Sequence, residues 1–171
     1  MSEFLNPNEI LKTLDLKENY RAADFGSGSG GWAIPLSKML EMGKVYAIDV
    51  LEESLSVLRA KINRERISNI EIILGDVEKK VKVYDNSLDL VLMTNLLFEC
   101  QDKKAVLAEG QRILRPGGKI AVIDWVKDNP LTKGIEQVSF EEIKSIAAQL
   151  GLKLEKEFEA GSYHKGLILV K

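Results

Sequence analysis

Asp24-Phe25-Gly26-Ser27-Gly28-Ser29-Gly30-Gly31 is the stretch on which the reading of this chain turns. It follows an apolar run, Arg21 to Phe25, short enough to be a strand, and precedes Trp32 to Met42, whose amphipathic pattern predicts a helix ended by Gly43. Glycines at such a turn remove the Cβ atoms that would block a ligand from the backbone. They also permit the positive φ angles of a tight bend, and the helix that follows offers free N–H groups. A strand-to-helix turn with no ligand has the same composition, so the rest of the chain must decide.

Working outward, short apolar runs alternate with longer amphipathic ones, the pattern of βαβ units in a mainly parallel sheet. Upstream, Asn6 and Pro7 suit the N-cap and first position of a helix over Pro7 to Leu14. Downstream come a strand over Val45 to Ile48, a helix over Glu52 to Arg64 and a strand over Ile70 to Leu74. Ser87 to Met93 is almost continuously apolar, as expected of a strand covered on both faces. A helix over Lys103 to Leu114 is broken by Arg115-Pro116-Gly117-Gly118 before a strand over Lys119 to Asp124. Ser139 and Glu142 form a capping-box pattern for a helix over Phe140 to Leu150. Finally, Lys153 to Phe158 and Gly166 to Val170, separated by Ala160-Gly161-Ser162, predict an antiparallel β-hairpin. The fold class is therefore α/β, with helices on both faces of the sheet. At 171 residues and 45% hydrophobic content, one domain over residues 1–171 is expected.

Composition narrows the partners. A net charge of −2 provides no global basic field, which disfavours nucleic acid while leaving a local patch open. Cys100 is the sole cysteine, so neither an intrachain disulfide nor a thiolate metal cluster is expected. Met1 to Asn8 contains no apolar core and no segment approaches the ~20 apolar residues of a membrane helix, so a cytoplasmic, soluble protein is expected.

Asp49 stands 23 residues beyond Gly26 at a strand end, where an acid can accept hydrogen bonds from both hydroxyls of an adenosine ribose. That spacing fits dinucleotide enzymes as well, and Gly26, Gly28 and Gly31 can be read as their glycine pattern. Asp24 argues the other way: a carboxylate directly before the glycine turn suits a ligand carrying an ammonium group and repels a pyrophosphate. Asp76, in Gly75-Asp76-Val77, is placed to accept from an adenine amine, with Val77 covering a ring face. Asn95 follows the fourth strand at the carboxyl edge of the sheet, where open α/β sheets bind ligands.

Taken together, Arg21 to Gly30, Val45-Tyr46-Ala47-Ile48-Asp49, Gly75-Asp76-Val77, Leu88 to Asn95 and Leu114-Arg115-Pro116-Gly117-Gly118 resemble the class I S-adenosylmethionine-dependent methyltransferases. The small branch related to ubiquinone and menaquinone biosynthesis methyltransferases is especially similar. The resemblance implies a Rossmann-like, seven-stranded sheet with an antiparallel last strand and S-adenosylmethionine as cofactor. It implies the methionyl end at Asp24, Gly26 and Gly28 with Ser27 between them, the ribose at Asp49 with Val50 beside it, and adenine at Asp76 and Val77. Two departures stand out: Phe98-Glu99 replaces the His-Glu of many relatives, and no segment is long enough for the cap that many of them carry. A single Cys100 argues against the arsenic-methylating branch.

Methyl transfer from a sulfonium is an in-line displacement in which the protein chiefly supplies alignment, so no compact triad is expected. Candidates facing the acceptor are Asp124 and Trp125 at the fifth strand's end, and Tyr163 and His164 at the final hairpin. Lys127 to Gly134, with Pro130, predicts a loop at the substrate mouth. A small-molecule acceptor is expected, and a homodimer stays open. The rival classes are a noncatalytic adenosylmethionine-binding protein and an NAD-dependent enzyme.

Overall fold

The computed structural model describes residues 5–126 and 138–171; the expected loop over Lys127 to Gly134 lies outside these residues. Element order is α1 (Pro7–Lys12), β1 (Arg21–Phe25), α2 (Ala33–Met39), β2 (Lys44–Asp49), α3 (Glu52–Glu65), β3 (Ile70–Leu74), β4 (Leu88–Thr94), α4 (Lys103–Ile113), β5 (Leu114–Trp125), α5 (Phe140–Gln149), β6 (Lys153–Glu159) and β7 (His164–Val170). The strands form one seven-stranded sheet in the order β3-β2-β1-β4-β5-β7-β6. β7 runs antiparallel to both its neighbours, β5 and β6, as the hairpin pattern predicts. The Rossmann-like architecture implied by the resemblance is the one observed.

Alternation along the strands builds two cores. Ala22, Val45, Ala47, Leu90, Leu92 and Ala121 pack under α1, α2 and α3 through Leu11, Leu36, Leu55 and Leu58. Their chain neighbours Ala23, Tyr46, Ile48, Val91, Met93, Ile120 and Val122 face the other way, against Val106, Leu107 and Ile113 of α4 and Ile143 and Ala147 of α5. All seven residues of β4 are buried, as a central strand covered on both faces must be.

Three sequence expectations are corrected. α1 stops at Lys12, two residues short of Leu14, because the Thr13 hydroxyl and N–H both turn back to the Ile10 carbonyl. α2 ends at Met39 and Gly43 does not cap it. Gly43 instead sits so close to the Tyr20 carbonyl that a Cβ would collide with it, and it lets the chain pass into β2. Arg115-Pro116-Gly117-Gly118 does not precede the fifth strand but lies within it. Leu88 pairs with Leu114 while Leu90 pairs with Lys119, so these four residues form a bulge, the one sheet setting that tolerates a central proline. The bulge is tied down by Gly117 N–H donating to the Lys171 carbonyl at 2.9 Å and Lys171 N–H donating to that of Gly118 at 3.0 Å.

The expected caps are present: Asn6 accepts from Asn8 N–H, and Ser139 accepts from Glu142 N–H at 3.3 Å. The strand order reverses between β1 and β4, so the crevice of the fold opens where their carboxyl ends diverge.

Candidate active site

Everything at this crevice starts from the turn after β1. Gly26 and Ser27 donate their N–H groups to the Ile48 carbonyl at 2.9 and 3.0 Å, which folds the turn over the end of β2. Gly26 has φ 70°, and a Cβ there would lie 2.8 Å from Leu96 Cδ1. Gly28, at φ 50°, presents its missing Cβ to open space, so backbone rather than side chain faces the crevice.

Asp24, the last-but-one residue of β1, is 1% exposed, and among the described residues neither carboxylate oxygen has a well-formed hydrogen bond, the Ala33 amide being its nearest backbone donor. Burial pushes its pKa up to about 7, against the pull of the Ala33 amide and with the Asp49 carboxylate adding to the rise. The Ser27 hydroxyl is likewise buried and, among the described residues, unpartnered. Sealed polar atoms without partners are costly, at about 1–3 kcal/mol each, and a cluster of them beside a glycine turn is the mark of a place built for a polar ligand.

Across the sheet, Asp49 accepts from Gly28 N–H at 2.8 Å and from Leu51 N–H at 2.9 Å. Val50 beside it is 58% exposed. One strand further, Asp76 accepts from Glu78 N–H at 2.9 Å and pairs with Lys79 at 3.1 Å, which together hold its carboxyl below the usual range. Val77 is 7% exposed and packs in the core. Parallel pairing of β1 with β2 and of β2 with β3 sets these groups in a row along one sheet edge, spaced by about 4.8 Å per strand. The row runs about 10 Å, comparable with an adenosine.

On the other side of Asp24 lies a cavity of about 270 Å³ lined by Leu5, Pro7, Trp32, Asn95, Trp125, Tyr163 and His164. Trp125 pairs with His164 in the β5–β7 register, and their rings lie 4.0 Å apart at 38°. His164 Nε2 is 3.0 Å from Asn95 Oδ1, and burial pushes the imidazole pKa down to about 4. Trp125, Tyr163 and His164 thus meet at one cavity, as the antiparallel return of the last strand implies. Asn95, expected at the cofactor, joins them at this cavity.

Asp124 does not. It is fully buried, accepts from Leu97 N–H at 3.0 Å and from Trp125 N–H at 2.8 Å, and so fastens the turn after β4. The expectation that it faces an acceptor is corrected: its backbone bonds point the carboxylate into that turn. Burial nonetheless raises its pKa to about 6. Leu5, Pro7 and Trp32 were not anticipated as lining residues. Trp32 directly follows Gly31, which was a usable signal, but the packing of the first helix over the mouth has none.

A family model described as a methyltransferase domain matches residues 16–160. The chain belongs to that methyltransferase family. A solved SAM-dependent methyltransferase of Aquifex aeolicus is 32% identical to it, with a TM-score of 0.87, over 98% of this chain and 90% of that one. The methyltransferase therefore stands among the SAM-dependent enzymes, with S-adenosylmethionine (SAM) as cofactor. A demethylmenaquinone methyltransferase of Bacillus cereus is 29% identical over 88% of this chain, which spans 64% of that relative's length. A solved cyclase structure shares the fold at a TM-score of 0.85 and 14% identity. Fold likeness of that degree does not carry an activity with it.

Proposed function

We propose that this methyltransferase transfers a methyl group from SAM to a small, neutral, flat acceptor held in the cavity of Trp32, Asn95, Trp125, Tyr163 and His164. The observation that carries the reading is Asp24, a sealed carboxylate beside a glycine turn with no well-formed hydrogen bond among the described residues. An ammonium group is the ligand chemistry that would satisfy it, and SAM brings one.

The residues present fit that cofactor. Asp24 and Ser27, with the backbone of Gly26 and Gly28, would hold its amino-acid end. The Asp49 lone pairs left over from Gly28 and Leu51 would receive the ribose hydroxyls, while Val50, Asp76 and Val77 would frame the adenine. SAM, when bound, supplies a methyl group already activated on a sulfonium. The chain's part is orientation: the aromatic walls exclude water and hold the acceptor flat, and truncating them would lose alignment that is worth on the order of a hundredfold in rate. With its pKa near 4, His164 is neutral at pH 7 and is a weak base. At about 270 Å³ the cavity falls below the range typical of drug-sized ligands, which favours a single- or double-ring acceptor. The relatives named demethylmenaquinone methyltransferases support a small-molecule acceptor in the same sense. We read the enzyme as cytoplasmic, consistent with its single cysteine; no helix among the described residues is long and apolar enough to cross a membrane.

Isothermal titration of the full chain with S-adenosylhomocysteine (SAH) tests the core of this reading. The ligand's ~26 non-hydrogen atoms at about 0.3 kcal/mol each give a micromolar dissociation constant. Absence of heat at millimolar SAH, or tighter binding of NAD, would sink it. A methyl-transfer screen with labelled SAM then separates an enzyme from a protein that only binds the cofactor.

A further inference from the structure

The imidazole of His164 is held on two sides. It packs against Trp125 in a tilted arrangement, and its edge meets Asn95, whose own backbone is fixed by an N–H bond to the Ile123 carbonyl at 2.9 Å and a left-handed φ of 49°. The residue itself opens β7, where its carbonyl accepts from Ala160 N–H at 2.9 Å, which ties its backbone to the hairpin. Asn95 turns its Oδ1 toward the ring, and an amide oxygen accepts, so this arrangement puts the proton on the partner nitrogen, Nε2. In a neutral ring that leaves Nδ1 with a bare lone pair, and among the described residues no donor reaches it. Among the described residues the cavity lining carries no formally charged side chain once His164 is neutral.

We propose that Asn95 is a positioning residue that fixes His164 as the Nε2–H tautomer, and that His164 Nδ1 thereby reads a hydrogen-bond donor, an O–H or N–H, on the planar acceptor. This rests on the reading of the cavity as the acceptor site. Its consequence is selectivity: an acceptor whose hydroxyl is already alkylated leaves Nδ1 facing an apolar atom and forfeits the bond. A site built to bond a hydroxyl rejects the analogue lacking it far more strongly than an apolar pocket rejects a change in size.

His164 is the chain's only histidine, so two-bond ¹H–¹⁵N correlation on the full-length, histidine-labelled protein at pH 7 reports this one ring without overlap. The expected pattern is a single neutral Nε2–H tautomer in the wild type. In Asn95→Gly, which retains the left-handed backbone, a mixture of tautomers is expected. The second arm compares 1-naphthol with 1-methoxynaphthalene in the presence of SAH; at least tenfold tighter binding of the naphthol is expected, collapsing to near equality in Asn95→Gly and in His164→Phe. An Nδ1–H tautomer, an imidazolium at pH 7, or equal affinity for the two probes, undetectable binding of both included, overturns the proposal. SAH affinity on the same samples tells the two readings apart: its loss overturns the cofactor assignment, whereas normal SAH binding with the wrong tautomer or no probe preference overturns only this one.

Discussion

Asp24→Asn separates binding from stability in opposite directions. In the wild type the carboxylate is sealed without a well-formed hydrogen bond among the described residues, and its pKa rises from 3.8 to about 7. The unfolded chain loses this proton near the ordinary value, whereas the folded chain keeps it until near neutrality. Stability therefore is undiminished by this group below pH 3.8, falls as the pH rises, and is fully reduced above about 7. The gap of roughly 3 units corresponds to about 4 kcal/mol, and water penetration into the turn would lower that toward about 2. Asparagine keeps the shape and stays neutral. At pH 8 the variant is expected to be more stable by about 2–4 kcal/mol, a rise in Tm of at least about 4 °C for a chain of this size, with the gain shrinking to under about 2 kcal/mol at pH 5. SAH affinity should fall roughly ten- to a hundredfold, because the amide cannot make the charge-assisted bond to the ligand's ammonium. Differential scanning calorimetry at pH 5 and 8, with and without SAH, measures both effects on one preparation. A variant that is less stable than wild type at pH 8, or one that binds SAH equally well, refutes the reasoning that this carboxylate is held in readiness for a cation.

Three further outcomes follow from the same geometry. Wild-type SAH affinity should be about tenfold weaker at pH 6 than at pH 8, since only ionised Asp24 binds the ammonium; titration in buffers of different ionisation enthalpy should register close to one proton released at pH 6. Asp49→Asn should weaken SAH binding by about 1.5–3 kcal/mol and also lower Tm, because one carboxylate now serves Gly28 N–H, Leu51 N–H and the ribose together; an unchanged Kd in a folded variant contradicts the ribose role. Gly26→Ala forces a side chain into φ 70° and against Leu96, which should cost about 1–2 kcal/mol for the backbone alone and lower Tm by a few degrees, visible in a thermal melt without ligand.

The sequence by itself determined the order and type of the elements and the row of cofactor candidates. Those signals are local: apolar periodicity in β4, the Asn6 and Ser139 caps, and an acid a fixed distance after a glycine turn act within a few residues or through one βαβ unit. Three errors came where a local signal has two meanings. Gly43 looks like a helix stop and is a close approach to Tyr20. Arg115-Pro116-Gly117-Gly118 looks like a break and is a bulge that only its pairing with β4 and Lys171 reveals. Asp124 looks like a strand-end acid facing a ligand, and its bonds to Leu97 and Trp125 turn it inward. The tertiary structure alone decided which long-range partners meet: Asn95 and His164 lie 69 residues apart in the chain, and Leu5, Pro7 and Trp32 reach the same cavity from another quarter of it. Nothing in local pattern encodes such meetings, because they depend on the β1–β4 switch and the antiparallel return of β7, which bring distant strand ends to one edge. The raised pKa of Asp24 belongs to the same class: its sequence neighbours name a carboxylate, and only the packed turn over it removes the water that would have kept it ordinary.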